Sequence, residues 1–333
     1  MLSITDVRVA AKYDKPPGSV PAMSSSRRVS TAILSLLSVF ALASCATREQ
    51  PATTPAPAQP AFPATLSAPD GKQVVVERQP TRIVSLSPTA TEVLFAIGAG
   101  KQVAAVDDQS TFPAEAPRTQ LSGFKPNVEA ITKQNPDLVV VANDANDVVG
   151  GLAAVKIPVL LLPTAKTLDE AYAQWTLLGK ATGQVQQADD VVRKARDEIK
   201  KTVDETPRKS LKYYHELGPD LYTATSATFI GRVYGQFGLV NVADPADTPA
   251  AGGYPQLGQQ ALFQANPDLI FLSDTKCCAQ TAETVRARPQ WQTLTAVQKN
   301  NIVALDDDIA SRWGPRITEL VKQVSDAVKR AGA

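Results

Sequence analysis

Apolar residues recur along residues 184–206 at steps of three and four: Val185, Ala188, Val191, Val192, Ala195, Ile199 and Val203. That spacing predicts one buried stripe on a helix with 3.6 residues per turn. The other faces pair Asp189 with Arg193, Asp190 with Lys194 and Asp197 with Lys201. Acid before base, four residues on, supports a solvent-facing helix. Gly183 precedes the pattern and Pro207 ends it. Such a helix runs about 28 Å at 1.5 Å per residue, long enough to join two lobes.

Short apolar runs stand on either side of it, and they repeat. Residues 130–139 read Ala-Ile-Thr-Lys-Gln-Asn-Pro-Asp-Leu-Val, and residues 261–270 read Ala-Leu-Phe-Gln-Ala-Asn-Pro-Asp-Leu-Ile. Each copy predicts a short helix stopped by proline, an aspartate turn, and a buried strand at 138–142 or 269–273. A second apolar run follows each, at 157–162 and 302–305. This pattern predicts an α/β protein of two related three-layer lobes joined by one long helix, with a ligand cleft between them. Further strands are expected at 74–76, 82–86, 103–106 and 211–217. The capping box from Thr167 to Glu170 opens a helix that carries Leu168, Ala171, Tyr172, Trp175 and Leu178 on one face. The expected divisions are an N-terminal extension and leader (1–44), a tether (45–72), a first lobe (73–166), connecting helices (167–207) and a second lobe (208–333).

Composition removes several classes of function. The 34 basic and 33 acidic side chains leave a net charge of +1, without the concentrated basic charge of nucleic-acid binders. One histidine and three cysteines are too few for a clustered His/Cys metal site. His215 would be the only base for a Ser–His–acid set, and no Gly-x-Ser-x-Gly elbow or Walker loop is present. Neither an enzyme nor a bound cofactor is expected. From Met23, an alternative start to Met1, Arg27-Arg28 precedes an apolar run at 32–42 and then Ala43-Ser44-Cys45. That order fits a secretory signal, and its core is too short to span a bilayer. The Ala/Pro/Thr-rich stretch behind it predicts an extended tether.

Three motifs carry a resemblance to a known family: 82–92 (Arg-Ile-Val-Ser-Leu-Ser-Pro-Thr-Ala-Thr-Glu), 126–139 with its Pro-Asn-Val-Glu start, and Tyr254-Pro255-Gln256-Leu257 with the second repeat. In that order they resemble the periplasmic-binding-protein family that feeds ABC importers for ferric siderophores, haem and vitamin B12. Leu42-Ala43-Ser44-Cys45 closely resembles the lipobox of bacterial lipoproteins, which implies lipid on Cys45 and an extracytoplasmic, membrane-anchored monomer. The resemblance implies capture of an iron or cobalt chelate and its delivery to a permease. It also implies docking to permease arginines through Glu129 and its second-lobe counterpart, where Gln260 stands instead of glutamate.

Loops at the carboxyl ends of the predicted strands bring Thr89, Ala90, Gln109, Phe112 and Phe124 to the cleft from one lobe. His215, Tyr222, Tyr254, Asp308, Arg312 and Trp313 face it from the other. By the family pattern Asp308 and Arg312 line the pocket wall, and the string from Asp308 to Arg316 resembles the vitamin B12-binding branch. A ferric siderophore fits the same pattern. Haem would need an axial His or Tyr, for which His215 or Tyr214 could serve. An envelope sensor or adaptor of the same fold is the other alternative. Cys277 and Cys278 follow the second repeat strand, and an oxidising compartment favours a bridge between them. Adjacent Cα atoms lie about 3.8 Å apart, below the usual disulfide span, so the expected bridge is strained. The alternatives are two unreacted thiols or a cross-link to another chain.

Overall fold

The computed structural model describes residues 62–332. The leader, Cys45 and the tether up to residue 61 lie outside them. The described chain opens with a hairpin, β1 (Ala64–Ser67) and β2 (Gln73–Val76), paired antiparallel with Ala64 opposite Val76. The expected tether therefore overruns into folded structure. Leu66 and Val76 are buried while their neighbours are not, the period-2 alternation of a strand, which the Ala/Pro-rich composition conceals.

The first lobe follows as β3 (Ile83–Leu86), α1 (Pro88–Ala96), β4 (Val103–Asp107), β5 (Arg118–Leu121), α2 (Val128–Thr132), β6 (Leu138–Val141), α3 (Val148–Ala154) and β7 (Val159–Leu161). Its five parallel strands lie in the order β5-β4-β3-β6-β7. Two long helices come next, α4 (Leu168–Thr182) and α5 (Val185–Asp204). The second lobe runs β8 (Lys212–Glu216), α6 (Phe229–Gly235), β9 (Val240–Asn241), α7 (Gln259–Ala265), β10 (Leu269–Leu272), α8 (Ala282–Arg286), α9 (Thr295–Gln298), β11 (Ile302–Ala304), α10 (Asp307–Ala310) and α11 (Ile317–Ala331). Its parallel sheet has the order β11-β10-β8-β9. Parallel strands need crossovers and are covered on both faces. That is why these strands read as short, continuous apolar runs.

α5 is the helix that the apolar stripe predicts, 20 residues long, or about 30 Å. Ala188, Ala195 and Ile199 are buried, and Val191, Val192 and Val203 pack partly against the core. Gly183 caps α4 at φ +78°, a left-handed turn that favours glycine. α5 lies against both α4 and α11, so it belongs to a helical layer and is more than a strut. Its Arg193 pairs with Asp190 at 2.7 Å, three residues back, and not with the expected Asp189.

The internal repeat does the same structural work twice. Asn135 and Asn266 turn the chain at φ +51° and +47°. Asp137 then accepts the N–H groups of Thr81 and Arg82 at 2.8 and 2.9 Å. Asp268 accepts that of Lys212 at 2.9 Å. Each aspartate ties the foot of its strand to the neighbouring strand, β6 to β3 and β10 to β8. Alternating side chains then divide the core. Leu138 and Val140, with Leu269 and Phe271, join one cluster that runs through both lobes and α5. Val139 and Val141 face a cluster private to the first lobe, and Ile270 and Leu272 one private to the second. The shared spine sets the lobes against each other.

Candidate functional site

Within each lobe the strands are parallel, so their carboxyl ends open together, and ligands of such sheets bind outside those ends. Here the carboxyl ends of the two sheets touch. Arg312, just past α10, donates through Nη1 to Glu92 on α1 at 3.0 Å and through Nη2 to the Gln109 carbonyl at 3.0 Å, in the loop after β4. The same Nη2 donates to Asp308 at 2.7 Å. Arg316 adds Nε and Nη2 bonds to the Glu92 carboxylate at 3.0 and 2.5 Å. Thr111 of the first lobe donates to Asp308 at 3.2 Å. Glu92 is 3% exposed and Arg312 9%, so these are charge-assisted bonds sheltered from water. Arg312, expected to meet the ligand, thus spends both Nη atoms on the protein and clasps the lobes.

Ser87 caps α1, its Oγ accepting from the Ala90 N–H at 3.2 Å, with Pro88 in the first turn. Thr89 and Ala90 are consequently buried. They line a void of only about 10 Å³ closed by Trp175 and Trp313, room for one water at most. Trp313, also expected at the ligand, is buried and locked by two bonds. Its Nε1 donates to Gln174 at 2.8 Å and its carbonyl accepts from Trp175 Nε1 at 3.0 Å.

Four aromatic rings are exposed in these loops: Phe112 at 42%, Phe124 at 73%, Tyr222 at 46% and Tyr254 at 45%. The Arg316 guanidinium covers one face of Phe112, 4.2 Å from the ring centre, a cation–π contact. Tyr222 pairs with Gln256, and Thr223 donates its N–H to the Pro255 carbonyl at 3.1 Å. This pairing lays the Tyr222 and Tyr254 segments side by side. Burial raises the Tyr254 phenol above its usual 10, which keeps it neutral at neutral pH.

His215 and Tyr214 depart from the expected cleft. Both lie on β8 and are essentially unexposed, 1% and 0%, because this strand is covered on both faces. His215 Nδ1 meets the Tyr234 hydroxyl at 2.9 Å, and burial pushes its pKa down to about 4. A side chain so placed is core and not an axial ligand. The unfolded chain takes up this proton first, so the stability the neutral ring confers is full above about pH 6.5 and is lost toward pH 4. His215→Gln, neutral throughout, is expected to flatten that fall in denaturation curves taken at successive pH.

At the rim, Lys276 bridges Asp306 and Asp308 at 2.7 and 2.8 Å. Cys277 and Cys278 stand beside it as exposed free thiols. Glu129 and Gln260 occupy equivalent second positions of α2 and α7 and are exposed. Among the described residues Glu129 pairs only with Lys133, four residues on, at 2.8 Å. Sequence reasoning missed the role of Glu92 and Arg316. They stand in motifs it quoted, but partners 224 residues apart leave no local spacing to read.

A family model described as periplasmic binding protein matches residues 83–309. The chain is 28% identical over 278 residues to an uncharacterized ABC transporter substrate-binding lipoprotein, YvrC, of Bacillus subtilis, covering 80% of this chain and 86% of that one. It is 29% identical over 277 residues to a cobalamin-binding protein of Halobacterium salinarum, covering 80% and 74%. Among solved structures, the periplasmic vitamin B12 binding protein BtuF of Vibrio cholerae superposes with a TM-score of 0.62 at 26% identity, covering 76% and 98%. The haem binding protein HmuT superposes at 0.66 with 21% identity, covering 81% and 91%, a likeness of fold.

Proposed function

The chain belongs to the periplasmic binding protein family, and from that premise we propose that it captures a vitamin B12-type corrinoid between its lobes and delivers it to an ABC importer. The observation that carries this reading is the set of exposed rings, Phe112, Phe124, Tyr222 and Tyr254, on loops of both lobes. Large neutral aromatic surface suits a bulky, partly apolar macrocycle better than a small charged ion. The buried His215 offers no imidazole to a haem, which would have to take its axial ligand from Tyr222 or Tyr254. Relatives named for cobalamin and vitamin B12 binding, at 29% and 27% identity, favour the corrinoid.

The role is binding without catalysis. Cys45 would carry the lipid anchor, and the tether behind it would hold a monomer at the outer side of the membrane. Glu129 would meet an arginine of the permease as a charge, while Gln260 would offer only a neutral hydrogen bond at the matching place. Native mass spectrometry and absorbance spectra of the protein purified from its own host test the cargo. A bound corrinoid is the expected result. A ferric siderophore or haem spectrum would overturn the choice of cargo and keep the transport class.

A further inference from the structure

Beneath the rim of the second lobe lies a charged cluster that ligand capture does not use. Glu216 ends β8, and Asp274 stands two residues past β10, whose Leu272 pairs with Glu216. Both carboxyls are 0% exposed. Arg288 donates to Glu216 through Nη1 at 2.7 Å and Nη2 at 2.5 Å, and its Nη2 also reaches Gln280 at 2.6 Å. Among the described residues neither oxygen of Asp274 has a donor. Two buried carboxylates against one guanidinium leave a negative charge without compensation, and a buried carboxyl in that position takes up a proton instead.

We infer that Asp274 carries a proton in mildly acidic solution, where an ordinary aspartate is ionised, shares it with Glu216, and so stabilises the base of the rim loop of the second lobe. The buried side chain stands at the base of the loop, and the backbone of the same residue is one of the loop's anchors. The Asp274 carbonyl accepts the N–H groups of Cys278 at 3.2 Å and Gln280 at 3.3 Å. From the other side Asp307 accepts those of Thr275, Lys276 and Cys277 at 2.8, 2.8 and 3.1 Å. Lys276 then reaches Asp308, which Thr111 of the first lobe also contacts. The pair therefore sits under a loop that touches the contact between lobes.

Burial first, and then the Glu216 charge, raise Asp274 from 3.8 to about 7. The other groups facing it add no charge that would reverse this. Tyr214, from β8, is held protonated mainly by burial, and the Cys277 thiol is pushed up to about 12. Arg288 lowers Asp274, but less than burial and Glu216 raise it. Because the folded state binds this proton more tightly than the unfolded chain, the stability it confers is full below about pH 4 and is lost as pH rises toward 7.

Asp274→Asn keeps the shape and a donor toward Glu216 but cannot ionise. Unfolding equilibria of wild type and Asp274→Asn, taken from pH 4 to 8 without any cargo, compare the two directly, and the His215 contribution is common to both. The ratio of their unfolding constants is expected to change by about tenfold per pH unit between pH 4 and 7, and to level off above. Infrared spectra of the wild type at pH 6, with labelled aspartate, should show a protonated carboxyl band. That measurement holds even if the variant does not fold. Parallel pH profiles, or a wild type without that band, would overturn the inference.

Discussion

Glu92→Ala is expected to destabilise the protein by about 3–5 kcal/mol, the cost of breaking a buried ion pair from one side. Glu92 is the anionic centre on which Arg312 and Arg316 converge across the lobes. Removing it leaves Arg312, 9% exposed, with Asp308 and a carbonyl but without its cross-lobe anion. Arg312→Ala leaves Glu92 to Arg316 and is expected to cost less. The two changes share one network, so their effects should not add. The Glu129–Lys133 pair is the control. Its partners are 78% and 70% exposed on one helix, and such pairs are worth at most a few tenths of a kcal/mol. Urea denaturation of Glu92→Ala beside Glu129→Gln separates the two cases. Equal midpoints would mean that the clasp contributes no more than a surface pair.

The clasp marks the boundary between what the chain shows locally and what it does not. The α5 stripe, the Thr167 capping box and the duplicated Asn-Pro-Asp turn are local patterns, and each forms close to where its spacing places it. β5 and β9 went unread because Arg118–Leu121 and Val240–Asn241 are short sheet-edge strands with little apolar periodicity. At the site, loop order was legible and side-chain direction was not. Phe112, Phe124, Tyr222 and Tyr254 stand exposed where strand ends were expected. His215 sits on β8 itself, where alternation and a covering helix on each face turn it inward. Asp274 could not be told from any loop aspartate, since its meaning comes from a single guanidinium already committed to Glu216.

Phe124→Ala and Tyr254→Ala are each expected to weaken binding of cobalamin by about thirtyfold, and together by about a thousandfold. An aromatic ring that passes from water into contact with a flat or puckered macrocycle gains about 1.5–3 kcal/mol from burial, and aromatic contacts about 0.5–1.5 kcal/mol more. Phe124 is largely free, at 73% exposure, and Tyr254 is half-buried, at 45%; neither belongs to the core, so truncating them removes binding surface and thermal stability should hold. Phe124 follows β5 in the first lobe, whereas Tyr254 belongs to the second. With no shared partner they should act independently, and their free energies should add. Tyr222 and Tyr254 lie on paired segments, so that double variant should fall short of additivity. Titration followed by the corrinoid absorbance measures all three. An unchanged dissociation constant in Phe124→Ala, with Tyr254→Ala weakened, would place the cargo on the second lobe alone and end the reading of a shared cleft.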